Sequence, residues 1–215
     1  MYIPRSFAEH DVPTIHNFIE ANPLAAIVSA SPADGLIATH LPLVLDRAAG
    51  PMGTLIGHLA RANPHSRHLT GGSVAALVIF AGPDAYITPS WYQTKKETGR
   101  DVPTWNYVAI HVYGKLHLRD DPAFLRAHLE TLTNAHEGSR EHPWHVSDAP
   151  EEYIVQQMQA IVAVEVPIDR LEGKWKMSQN RRDVDIAGVI DGLAKSGKAM
   201  DREVGAIVSE RRPKS

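Results

Sequence analysis

The stretch GHLARANPH, residues 57–65, places His58, Arg61, Asn63 and His65 within eight residues at the end of an apolar run. Arginine carries a permanently charged, planar fork of donors that matches the oxygens of a phosphate. Arg61 and Asn63, just past a strand, can supply side-chain donors, and the N–H groups entering a short helix after Pro64 can add more. That is the chemistry needed to hold a phosphate dianion. The same residues also suit a polar strand-to-helix turn with a surface arginine and an asparagine cap.

Other segments carry polar or aromatic groups where a purely structural chain would not need them. ATHLPL sets Thr39 and His40 into an apolar strand, where unpaired polar groups cost free energy; a ligand edge or partners within the sheet would satisfy them. YITPSWYQTK brings Ser90, Trp91 and Tyr92 to a strand end, and VPTWNY adds Trp105, Asn106 and Tyr107. GKWKMSQNR gathers Lys174, Lys176, Gln179, Asn180 and Arg181 around Trp175. Trp91, Trp105 and Trp175 therefore sit in or beside segments suited to stacking on a flat aromatic ligand, with core or interface packing as the alternative.

Three other signals fail. GLAKSGKA, residues 192–199, approaches a phosphate-cradling loop, but Ala199 stands where a magnesium-binding hydroxyl is required and a helix precedes it in place of a strand. HEGSREHPWH holds His136, His142 and His145 without the spacing that puts two imidazoles on one helical face, so no metal site is expected. Neither a G-x-G-x-x-G after a strand nor a G-x-S-x-G elbow occurs.

The elements that must position these groups read as mainly β. Strand-like segments fall at 24–30, 35–46, 54–60, 73–82, 85–88, 107–120 and 160–177, parted by turn signals at SPADG, RAAGPMG and GPDA. EHDVPTIHNFIEANP predicts a helix capped by Asp11 and stopped by Pro23; residues 121–137 predict an amphipathic helix, and a third starts at Asp148. Residues 183–210 predict one or two helices broken near SGK. Long antiparallel runs with few helices favour a closed or split barrel over a doubly wound sheet. The 215 residues suit one domain with a modest appendage.

With 22 basic against 25 acidic residues, bulk electrostatic coating of nucleic acid is disfavoured; SERRPKS is the one local basic candidate. The absence of cysteine excludes disulfides, thiolate metal sites and cysteine nucleophiles. No apolar stretch reaches a membrane span and MYIPRSFAEH lacks a signal-peptide core, so a cytoplasmic protein is expected.

Taken in order, MYIPRSF, THLPL, GHLARANPH, YITPSWY, VPTWNY, HVYGKL and KWKMSQNR resemble the PaiB-type FMN-binding negative transcriptional regulators, relatives of the pyridoxine-phosphate-oxidase-type split barrels. Thr88 and Tyr113 are small departures from the pattern. The resemblance, which runs from Met1 to about Arg181, implies an α+β chain built on a six-stranded antiparallel split β-barrel over residues 1–181; residues 182–215 carry no motif of the pattern, and their helical spacing is read as an extension packed on the barrel. It further implies a homodimer with FMN in clefts at the interface. Thr39, His40 and Leu41 would then line the flavin edge, and His58, Arg61 and Asn63 would hold its phosphate or ribityl end. Ser90, Trp91 and Tyr92 would face the cleft, while Thr104, Trp105 and Asn106 with Lys174, Lys176, Ser178, Gln179 and Asn180 would close it.

Two functions follow as expectations. In one, FMN or its redox state sets the behaviour of a dimer that restrains transcription, by contact with DNA, a partner protein or a sensed small molecule. In the other the chain is a flavin-dependent oxidoreductase, with His40 the first group to test as an acid or base. A cleft taking another flat anionic ligand, such as haem, is a third reading.

Overall fold

Phe18 and Asn22 show how local chemistry delimits the elements. The first helix, α1 (Val12–Ala21), buries Ile15 and Ile19, and the Asn22 side chain then donates to the Phe18 carbonyl at 2.9 Å, just before Pro23. The computed structural model describes residues 1–31, 35–67, 69 and 72–213. Most of the SPADG turn and the last two residues of the SERRPKS tail lie outside the described residues.

Eight strands are present among the described residues: β1 (Ala8–Glu9), β2 (Leu24–Ser31), β3 (Gly35–Pro42), β4 (Val44–Asp46), β5 (Thr54–Ala60), β6 (Val74–Ile87), β7 (Thr104–Arg119) and β8 (Ile161–Lys176). They pair in the open order β3-β2-β6-β7-β8-β5-β4, with β1 on β8. The six long strands match the expected six-stranded split barrel; β1 and β4, of two and three residues, are additions too short to register in a hydrophobic pattern. The β1–β8, β2–β3, β2–β6, β4–β5 and β5–β8 pairs are antiparallel, with Leu24 opposite Pro42 in the β2–β3 hairpin and Thr54 opposite Pro167 between β5 and β8.

The GPDA turn expected inside residues 73–88 is absent, because β6 is continuous. Its buried positions run Ala76, Val78, Phe80 and then Pro83, Ala85, Ile87, so the alternation slips by one residue at Ala81–Gly82, as a bulge does. Pro83 lies beyond residues 76–79, the stretch paired with β2, and its missing N–H forfeits no bond on that side.

The remaining helices are α2 (Pro64–Arg67), α3 (Gln93–Thr98), α4 (Pro122–Glu137), α5 (Glu151–Gln159), α6 (Asp183–Ala194) and α7 (Ala199–Glu210). Asp121 caps α4 by accepting from Ala123 N at 2.9 Å, with Pro122 in the first turn. Asp148 does not open α5. Its carboxylate accepts from His145 N at 2.8 Å in a preceding 3-10 turn, and the helix starts after Pro150.

The chain divides into two compact units, each described by itself: residues 1–11, 81–110 and 172–215 form the first, and 12–80 with 111–171 the second. Helices α6 and α7 share the first unit with α3 and the Pro89–Trp91 3-10 turn. The first unit buries Ile87, Met177, Ile186, Val189, Leu193 and Val204; the second buries Ile27, Leu55, Val78, Phe80, Val112 and Val164.

In the second unit β5 runs hard against the end of β3. A Cβ on Gly57 would lie 2.7 Å from Leu43 Cδ2, 2.8 Å from Leu41 Cδ1 and 3.2 Å from the Pro42 carbonyl oxygen. The leucine tips can rotate, but the carbonyl cannot. Gly57→Ala is therefore expected to destabilise the chain by about 1 to 2 kcal/mol, read as a lower urea midpoint at unchanged m-value.

Candidate functional site

The GHLARANPH donors are engaged inside the second unit. Asn63 Oδ1 accepts from His65 N at 2.9 Å, and Ser66 N donates to the Asn63 carbonyl at 3.0 Å, so these N–H groups at the start of α2 are already satisfied. Asn63 Nδ2 donates to Thr39 Oγ1 at 3.3 Å, and His65 Nδ1 meets the same hydroxyl at 3.0 Å. His65, 1 % exposed, bonds Ser29 Oγ through Nε2 at 2.8 Å. Thr39, Asn63, His65 and Ser29 thus lock the loop onto β2 and β3, which explains the polar groups in an apolar strand. His65 and Ser29 were not anticipated as partners, since nothing local marks a contact across 36 residues.

Arg61 is also committed. Its Nη2 donates to Asp120 Oδ1 at 2.5 Å and its Nε to the carbonyl of Gln159, the last residue of α5, at 3.0 Å. Hydrogen bonding to the guanidinium holds the Asp120 carboxyl below its ordinary range and raises Arg61 in turn. The pair is exposed, so solvent screens it. Arg61 lines a cavity of about 250 Å³ with Arg119, Leu125, Val155 and Met158.

Thr39 and Leu41 share one face of β3, whereas His40 is exposed on the other. His58, on β5, bonds through Nδ1 to His128 Nε2 of α4 at 3.1 Å, with the rings edge to face at 5.4 Å. Burial lowers both imidazoles; for His128, helped by the charge of His58, the value falls to about 4. His58 is engaged by a histidine 70 residues away that the amphipathic pattern of α4 shows only as a core-facing position.

The other candidates lie in the first unit. Trp91, in the 3-10 turn, docks on α6, where Gly188 and Gly192 stand one turn apart. A Cβ on Gly188 would lie 2.0 Å from the Trp91 carbonyl oxygen, and one on Gly192 would lie 2.3 Å from indole Cε2. These glycines were passed over because a helical glycine reads only as a weak position. Ser90 is exposed, its N–H bonded to Thr88 Oγ1 at 3.3 Å. Trp105, 53 % exposed, meets the Tyr86 ring edge-on at 5.9 Å. Trp91, Trp105 and Tyr86 line a cleft of about 360 Å³ with Lys198 and Met200, a volume suited to a flat small molecule. Trp175 is buried at 5 % exposure with the Arg211 guanidinium over its ring, so it does not present a stacking surface.

On the opposite side of β7 from Trp105, Thr104 and Asn106 face Lys176 and Ser178. Lys176 Nζ donates to Thr104 Oγ1 at 2.6 Å and to the Trp105 carbonyl. Asn106 Nδ2 donates to Ser178 Oγ at 3.0 Å, and the hydroxyl returns the bond to Asn106 Oδ1 at 3.2 Å. Ser178 has φ 65°, an uncommon left-handed conformation for a non-glycine residue. Gln179 holds that turn, donating to the Trp175 carbonyl at 2.6 Å and accepting from Met177 N at 2.7 Å. Lys174 Nζ donates to Tyr107 Oη at 2.6 Å and to the Tyr2 carbonyl at 3.2 Å. A small cavity of about 110 Å³ is bounded by Tyr92, Thr104, Asn106, Lys176, Ser178, Asn180 and Arg181, together with Phe7.

Residues 1–170 match the family described as "Putative FMN-binding domain". The chain belongs to that family. It is a flavin-binding-family split barrel of the PaiB type. It is 36 % identical to an uncharacterized protein of Aspergillus fumigatus, the match covering 98 % of this chain and 97 % of that one. It is 29 % identical to the protease synthase and sporulation protein PAI 2 of Bacillus subtilis, over 98 % of each. Among solved structures, an FAD- and heme-binding protein from Mycobacterium smegmatis shares the fold at TM-score 0.57 and 17 % identity, covering 84 % of this chain and 78 % of that one. For a member of this flavin-binding family, the engaged Arg61 and the aromatic cleft beside Trp91 become the features to test with a flavin.

Proposed function

We propose that this chain binds FMN as a homodimer and that flavin occupancy or redox state controls a negative regulatory role in transcription. The observation that carries the reading is the FMN-binding family match over residues 1–170. The relation to the sporulation protein PAI 2 supports a regulatory rather than a purely metabolic role. In the second unit, Arg61 and Asn63 are proposed to meet the phosphate or ribityl end, with Thr39, Leu41 and His58 behind them. Separately, the cleft of the first unit lined by Trp91 and Trp105 is proposed as a site for a flat ring.

When bound, FMN would supply electron and hydride transfer; the protein's residues supply orientation and a charge environment. Direct capture of DNA through the basic tail is disfavoured, because Arg211 pairs with Glu9 and Arg212 with Asp183. Regulation through a partner protein or a ligand-induced change fits those two paired arginines better. No helix among the described residues is long and apolar enough to cross a membrane, and a cytoplasmic site of action is proposed with the rest.

The test is to denature purified protein and identify the released chromophore by mass spectrometry. FMN is the expected species. Release of haem, or of FAD with no FMN, would overturn the assignment, and multiple turnovers of NADH- or NADPH-dependent flavin reduction would favour the oxidoreductase reading instead.

A further inference from the structure

A cavity of about 310 Å³ lies in the second unit between α4 and the β4–β5 pair, and none of the residues lining it is among those the family resemblance gives to the flavin. Its floor is Val44 and Ile56, directly opposite each other in the antiparallel register. Its wall is one face of α4, where Phe124, Ala127, His128 and Thr131 recur at helical spacing. The Thr131 hydroxyl is spent on the Ala127 carbonyl at 2.8 Å. The result is a mostly apolar recess at the lower end of the size range of small-molecule sites.

Charge limits what can enter it. Asp46 and Arg47 also line the cavity, and both are exposed. Asp46 Oδ1 accepts from Ala48 N at 2.9 Å, while Arg47 donates to Glu20 at 2.6 and 2.8 Å and to Asn17 at 2.7 Å. Beside the wall, the Arg119 guanidinium lies 4.9 Å from the Phe124 ring centroid and faces Glu165 at 3.6 Å. Both guanidiniums already meet a carboxylate, so neither is left to balance an anionic ligand.

One polar atom is open. His128 is 5 % exposed and bonds His58 Nδ1 through Nε2, which leaves His128 Nδ1 without a partner among the described residues. The unpartnered side-chain atoms sealed from solvent there are Tyr92 Oη and His111 Nδ1, so His128 Nδ1 is not sealed off, and its ring lines the cavity. Burial keeps this imidazole neutral, its value lowered to about 4 with help from the charge of His58. The open nitrogen of such a pair is a donor or an acceptor, according to which ring donates to the other. A hydroxyl group suits either case, since it both donates and accepts.

We infer that the cavity between α4 and the β4–β5 pair binds a small uncharged aromatic molecule of the phenol class, its ring against Val44, Ile56 and Phe124 and its hydroxyl on His128. An apolar cavity of about 150 Å³ takes benzene. About 310 Å³ therefore accommodates two fused rings. The inference goes beyond the flavin reading and does not rest on it.

Nitrogen-15 NMR of the histidine rings in the full chain, titrated with 2-naphthol at neutral pH, tests it. The probe is uncharged there, as a tyrosine phenol is. A saturable shift of the His128 Nδ1 resonance is expected. 2-Naphthoate, with the same rings and a carboxylate, is expected to bind at least tenfold more weakly, because its charge would be desolvated without a free cation to meet it. Ala127→Phe sets a ring into the cavity from an exposed position on α4; it is expected to abolish the shift while keeping the ligand-free Tm of the parent. No saturable shift, an equal response in Ala127→Phe, or equal affinity for 2-naphthoate overturns the site. Loss of the response in Ala127→Phe also separates this cavity from the Trp91–Trp105 cleft, whose lining that change does not touch. Failure of the naphthol titration leaves flavin binding, measured by its own fluorescence, unaffected.

Discussion

Arg61→Ala is expected to weaken FMN binding tenfold or more while leaving riboflavin binding unchanged. Losing a charge-assisted pair to a phosphate costs about 1.5 to 3 kcal/mol, and riboflavin has no phosphate to lose. Removing Arg61 also removes its bonds to Asp120 and to the Gln159 carbonyl, so a control must separate binding from local packing. Asp120→Asn provides it. That change leaves the guanidinium in place and takes away the carboxylate a phosphate must displace, so FMN affinity is expected to rise. Fluorescence titrations of the two variants with both flavins read the result. Equal losses for FMN and riboflavin, or a fall in FMN affinity with Asp120→Asn, would show that Arg61 serves only to tie the end of α5 to the residue before α4's cap.

Acid is expected to destabilise the second unit through the His58–His128 pair. His128 titrates near 4 in the folded chain against an ordinary 6.5, and His58 is lowered too. Above pH 6.5 both folded and unfolded states are neutral and stability is flat. Below it the unfolded state takes up the proton first, so stability falls progressively from pH 6.5 to about 4 and then levels off. Allowing for partial exposure and mutual repulsion, His128 accounts for a loss on the order of 2 kcal/mol. The neighbouring carboxylate Asp46 and the Arg47 guanidinium line a cavity with His128, and Arg47 is tied to Glu20 at 2.6 Å. Carboxylates titrate mainly below pH 5, so the window from 5 to 6.5 isolates the imidazoles. His128→Gln, which keeps hydrogen-bonding capacity without titrating, is expected to flatten the urea-measured stability across that window. An unchanged slope would assign the acid response elsewhere.

Much of the fold was legible because it rests on local rules. Asp121 and Pro122 announce α4, Pro23 ends α1, and SGK separates α6 from α7. The Gly-Pro-Asp inside β6 misled because a turn signature says nothing about whether a partner strand needs the missing N–H. Helix α3 went unread, as its six residues, QTKKET, bury nothing and have no apolar period to show.

The candidate residues were legible by type but not by partner. Arg61 and Asp120 are 59 residues apart, and Asp120 sits beside Asp121 in a run where either could be the helix cap. The stacking role expected of Trp175 failed because alternation along β8 buries it, while Trp105 on β7 is turned outward. That Tyr92 is wholly buried, with the Arg181 guanidinium over its ring, is visible only in the packed structure.

Flavin binding itself is tested most directly by titrating the ligand-stripped chain into FMN and following flavin fluorescence. Saturable, stoichiometric quenching is the result predicted here, with riboflavin binding more weakly for want of the phosphate. Fluorescence unchanged at protein concentrations well above that of the flavin would contradict the account at its centre.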